Sequence, residues 1–136
     1  MNAKILIGGQ ALRNLGSSRH TDDVDYLIND TTSKVAFMHD TENNVDYLNA
    51  NGNKLFAEIY KIEAGNEQAS AQSLFELKAY AFVQLCQIAK FAKADAAEFD
   101  LKFLVRNFKC SPKLVKKYIS AGELSEIVKI VNSVRF

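Results

Sequence analysis

The chain has 136 residues, 48% of them apolar and 24% charged, with 17 Lys/Arg against 16 Asp/Glu and a formal net charge of +1. This length suits one domain with a real core and leaves no room for a separate substrate module, while the composition excludes wholesale disorder. No apolar run approaches the roughly 20 residues of a membrane crossing and no signal-like leader opens the chain, so a cytoplasmic protein with no membrane partner is expected.

In chain order, residues 4–7 form a short apolar run that predicts a strand, and Gly8 and Gly9 lead from it into a short helix over 10–15. Residues 22–28 alternate Asp23, Asp25 and Leu27 against Val24, Tyr26 and Ile28, which predicts a second strand. Residues 35–38 and 45–48 pair as a hairpin around the polar stretch 39–44, and Asn51, Gly52 and Asn53 form a break. Leu55, Phe56, Ile59 and Ile62 then recur at helical spacing over 54–63. After a loop at 65–69, the stretch from Ser70 to Ser73 supplies N-cap candidates, with Ser73 and Glu76 three apart in capping-box arrangement, and opens a long helix to about residue 90. Further helices are expected at 94–108, at 111–120 behind Ser111 and Pro112, and at 124–131 beyond Gly122. Strands followed by helices make an α+β fold: one domain over 1–136, a small mixed sheet within 1–65 and a helical bundle over 70–136.

Cys86 and Cys110 lack any CxxC or Cys/His neighbourhood and are expected to be buried, reduced thiols. His20 and His39 stand apart from other ligand types and are expected at the surface. Phe75, Phe82, Phe91, Phe99, Phe103 and Phe108 fall at helical spacings and are expected in the core. Charge is uneven: residues 1–100 hold 9 Lys/Arg and 14 Asp/Glu, a balance of −5, whereas residues 101–136 hold 8 and 2, a balance of +6. Such a basic end can draw in a polyanion such as RNA, or serve as a solvated helix face.

The densest chemistry lies between Gly8 and Asp25. Paired glycines after a strand let backbone approach a phosphate closely, because no side chain intervenes. Asp23 and Asp25 are two apart, so in an extended segment their carboxylates share a face and can converge on a hard divalent cation. Gly8-Gly9-x-Ala11-Leu12, then Gly16, and Arg19-x-Thr21-x-Asp23-x-Asp25 together resemble the signature of the DNA polymerase β-like nucleotidyltransferases, closest to the minimal toxin-type members of toxin–antitoxin systems and to the CCA-adding enzymes.

That resemblance implies transfer of a nucleoside monophosphate from an NTP to a hydroxyl on RNA, such as a tRNA 3′ end, on a protein or on a small molecule, with Mg²⁺ or Mn²⁺. It implies catalytic and metal-ligating roles for Asp23 and Asp25, and a third carboxylate from a neighbouring strand, for which Asp46 is the candidate and Glu58 the competitor. Gly8, Gly9 and Arg19 would meet the triphosphate, Thr21 would fix the loop, and Lys78 on the long helix would be a further phosphate contact or a lysine snorkelling from an apolar helix. Asp95 and Asp100 are expected as helix surface charge. The alternative is a catalytically inactive module of the same fold that binds nucleotide, a partner protein or a second copy of itself. A chance motif on a helical interaction protein is the remaining reading.

Overall fold

The computed structural model describes residues 3–134. The contacts divide the chain into two compact units, Met1–Ser70 and Ala71–Phe136. Among the described residues the fold is α+β, with four strands and five α-helices.

In the first unit, β1 (Ile5–Ile7), α1 (Gly8–Asn14), β2 (Val24–Ile28), β3 (Phe37–Asp40), β4 (Val45–Asn49) and α2 (Lys54–Glu63) follow in order. The sheet order is β1-β2-β4-β3; β2 and β4 run parallel, and the two outer pairings are antiparallel. β3 is thus an edge hairpin arm laid outside the parallel pair. Alternation puts Ile5, Ile7 and Leu27 on one face, where they are buried together with Ala11 and Leu12 of α1 and Leu55, Phe56 and Ile59 of α2. The opposite face carries the stacked Tyr26 and Tyr47 rings, 6.3 Å apart, with the Lys4 ammonium 4.6 Å over Tyr26.

The crossover between β2 and β3 is ordered by one fully buried side chain. Asn49 donates from Nδ2 to the carbonyls of Asp30, Ser33 and Val35, each at 3.2 Å, and its Oδ1 accepts from the Asp30 N–H at 2.8 Å. Gly52 follows because a Cβ there would come within 2.7 Å of the backbone at Lys34 and Ala36. Asn53 then caps α2 by accepting from the Phe56 N–H, so the predicted break acts as a helix start.

The second unit contains α3 (Ala71–Gln87), α4 (Phe91–Phe108) and α5 (Ala121–Val134). Here several expectations fail for identifiable reasons. Ser73 does not cap α3; the helix starts two residues earlier and Ser73 is buried within it. Glu76 forms no capping box either. Its carboxylate, 1% exposed, accepts the backbone N–H groups of Lys113, Leu114 and Val115 at 3.0, 2.6 and 3.3 Å. The capping box lies instead at Ser120 and Glu123, where the Ser120 N–H donates to Glu123 Oε1 at 2.7 Å and the Glu123 N–H to Ser120 Oγ at 3.1 Å. This cap starts α5 at Ala121 and takes in Gly122. The helix expected over 111–120 shrinks to a 3-10 turn at Val115–Lys117. The α3–α4 boundary also moves: Ala89 adopts φ +58°, and the Lys90 N–H reaches back to the Leu85 carbonyl, a Schellman closure without glycine, so α4 begins at Phe91.

Two burial expectations are reversed. Phe75 is buried, but Phe91, Phe99 and Phe108 are exposed, because α4 turns them away from the face carrying Ala94, Ala97, Leu101 and Leu104. Cys110 is buried, whereas Cys86 is exposed near the end of α3. Burial, with Glu76 nearby, pushes the Cys110 thiol up to about 11 from its usual 9.0. In the native protein, DTNB is expected to titrate Cys86 and leave Cys110 until the chain is unfolded; simultaneous reaction of both would contradict the burial. Because the folded state holds the Cys110 proton more tightly, the stability linked to it is complete below pH 9.0 and is lost as pH rises towards about 11.

Candidate functional site

β1 runs into α1 without an intervening residue: Ile7 is extended and Gly8 is the first helical residue. Gly8 has φ +71°, and a methyl group placed there would overlap the Asp25 carboxylate, whose Cγ would lie 2.9 Å away. A methyl on Gly9 would overlap the Thr21 side chain. Gly8 is therefore needed twice, for the left-handed turn and for the close approach of Asp25, and Gly9 once, for the close approach of the segment that leads into β2. The Thr21 carbonyl accepts from Gln10 Nε2 at 3.1 Å, which ties that segment back to α1. Gly9→Ala is expected to destabilise the protein by about 1–3 kcal/mol through overpacking, and Thr21→Ser, which removes the methyl it would strike, should recover part of the loss. Strictly additive unfolding free energies in the double variant would rule out this contact.

Asp25 sits opposite Ile7 on one side and Asp46 on the other, since β2 and β4 are parallel with Asp25 in register with Asp46. In-register neighbours on adjacent strands project from the same face, roughly 5 Å apart, whereas Asp23 precedes β2, which begins at Val24. Asp46 is thus placed beside Asp25. Glu58 lies on α2, where it lines a shallow groove with Ala57, Lys61 and Ile62.

Side-chain partners complicate this row. Asp46 accepts a short 2.5 Å hydrogen bond from Nδ1 of His39, its register partner on β3, with both side chains close to half exposed. Asp23 accepts from Asn44 Nδ2 at 3.1 Å. Among the described residues no group of three or more His, Cys, Asp and Glu side chains is gathered to hold a metal ion. Carboxylate oxygens suit a hard divalent cation, but these three are not gathered here, and convergence requires Asp46 and Asp23 to share or release His39 and Asn44.

His39 is the residue that the sequence reading missed. It lies seven residues from Asp46, and only the hairpin register makes them opposite. His20 remains at the surface but has partners: its Nε2 lies 2.8 Å from Asp22 Oδ1, and Arg13 approaches its Nδ1 at 3.5 Å. Arg19 is half-buried, with its N–H donating to Ser17 Oγ at 3.3 Å. Asp40 closes the β3–β4 turn by accepting from the Asn43 side chain and N–H, which hold its carboxyl below the usual range.

Lys78 belongs to the second unit. Its ammonium lies 3.0 Å from Asp100, whose side chain is fully buried. Asp100 is therefore no surface charge, and Lys78 is not a lysine stretching freely into solvent. A buried carboxylate this close to an ammonium is compensated in place. No helix among the described residues is long and apolar enough to cross a membrane. Searches of protein-family models, curated proteins and solved structures gave no match to this chain.

Proposed function

We propose that the chain is a metal-dependent nucleotidyltransferase, acting in the cytoplasm on an NTP and a hydroxyl acceptor. The observation that carries this reading is the register of Asp25 with Asp46 across parallel strands, with Asp25 directly over Gly8 at the strand-to-helix turn. Asp23, Asp25 and Asp46 would hold Mg²⁺ or Mn²⁺, which when bound neutralises charge on the α-phosphate and on the departing pyrophosphate. Asp46 would also accept the proton of the attacking hydroxyl. The acceptor oxygen then bonds to the α-phosphorus, the α–β phosphoanhydride bond breaks and pyrophosphate leaves.

On the family resemblance alone, Gly8, Gly9 and Arg19 would meet the triphosphate, which would require the Asp25 and Thr21 side chains to yield the space over the glycines. Thr21 acts through the loop that it anchors. The basic region 101–136, of which Arg135 lies outside the described residues, favours RNA as acceptor over a protein or a small molecule.

Incubation with α-labelled NTPs, Mg²⁺ and total RNA or protein tests the proposal. Label is expected in an acceptor and should vanish in Asp25→Ala; label that persists in that variant would remove the carboxylate row from the chemistry. The ties of Asp46 to His39 and of Asp23 to Asn44 favour a second reading, an inactive module that binds nucleotide, a partner protein or another copy of itself. Calorimetric titration with ATP separates the two: affinity unchanged by Mg²⁺ and by Asp25→Asn selects the inactive module.

A further inference from the structure

Between Asp100 and Glu123 the chain carries six basic residues and no acidic one. Arg106, Lys109, Lys113 and Lys116 are all exposed. No ion pair among the described residues engages them, whereas Lys102 in the same stretch is paired with Glu98. Their backbone is rigidly held. Lys109 caps α4 in the left-handed conformation, with its N–H on the Val105 carbonyl. The Ser111 carbonyl accepts from Gln72 Nε2 at 2.7 Å, and the Glu76 carboxylate grips the N–H groups of Lys113, Leu114 and Val115 from inside. With Cys110 and Val115 turned into the core, the lysines between and after them are directed outward.

One aromatic ring accompanies the cations. Phe108 is 41% exposed, and its ring is braced edge-on by Phe103 at 6.0 Å, so a flat apolar surface stands at the end of α4 beside Lys109. Exposed cations spaced along a held backbone, with an exposed ring next to one of them in the chain, match a single nucleic-acid strand, which offers phosphates at regular spacing and unpaired bases to stack. A solvated helix end explains the charge but gives no reason for an exposed, braced phenylalanine in its midst.

We infer that Arg106, Phe108, Lys109, Lys113 and Lys116 form a binding surface for single-stranded nucleic acid, with the cations on phosphates and Phe108 under a base. This deepens the acceptor half of the proposed function and needs neither metal nor NTP, so its failure is separable from failure of the transfer reaction.

The test is fluorescence anisotropy with the full chain and a labelled, unstructured oligonucleotide, made once as RNA and once as DNA, in the absence of NTP and Mg²⁺ and over a range of salt. Binding should weaken with salt, and the combined variant Arg106→Gln, Lys109→Gln, Lys113→Gln, Lys116→Gln should lower the log–log salt slope by about 3, roughly 0.7 for each lost phosphate contact. Phe108→Ala should weaken binding by about tenfold with the slope unchanged, and Phe108→Trp should restore it. Circular dichroism confirms that these surface variants fold. A preference for RNA identifies contact with the 2′-hydroxyl, and equal affinity a backbone-and-base mode; either supports the surface. No binding at low salt, binding indifferent to the four substitutions, or equal tightness on phosphatidylserine vesicles with no effect of Phe108→Ala would overturn it.

Discussion

Replacement of Glu76 by alanine is expected to lower the unfolding free energy by about 3–5 kcal/mol, more than any ordinary surface change. The carboxylate is buried and takes three consecutive backbone N–H groups, of Lys113, Leu114 and Val115, at 2.6–3.3 Å. Alanine would strand these donors and leave a cavity beneath the 109–120 connection. Glu76→Gln should lose less, because its amide oxygen still accepts while its NH₂ faces donors. Urea unfolding gives the size of the effect, and amide hydrogen exchange at residues 113–115 gives its cause. Retained protection there in the alanine variant would mean that the clamp is not what orders the turn.

Asp25→Asn is expected to reduce nucleotidyl transfer by at least about a hundredfold, the scale seen when one fixed group that stabilises transition-state charge is removed. Asparagine keeps the shape over Gly8, so the fold should survive and the loss should fall on turnover. Asp46→Asn should act in the same direction. His39→Ala should have a smaller effect, about tenfold, because it removes the partner of Asp46 and not the carboxylate itself. Single-turnover labelling with saturating NTP measures these rates. Full activity in Asp46→Asn would shift the third carboxylate to another residue, with Glu58 the first to examine.

The glycine pair illustrates what a motif conveys and what it omits. Its close approach to something was legible in Gly8 and Gly9, but the immediate occupants of that space are the side chains of Asp25 and Thr21, because β2 pairs with β1 at Ile7. The helix over 54–63 was legible to the residue, since a strong apolar period and an asparagine cap agree. Ser73/Glu76 and Ser120/Glu123 share one spacing, and local pattern cannot rank them. Glu76 is drawn inward by three N–H groups nearly forty residues away, whereas Glu123 meets only its own turn.

The sequence by itself determined the class of fold, the sheet in the first half and helices in the second, and the helix over 54–63, because periodicity and turn residues are local. Tertiary structure alone decided that Asp46 stands in register with Asp25, that His39 holds Asp46, that Lys78 pairs with the buried Asp100, and that Phe108 is left exposed against Phe103. Each of these depends on strand register or helix packing between residues distant in sequence, and such relations are set by burial of the whole core and not by any short run of residues.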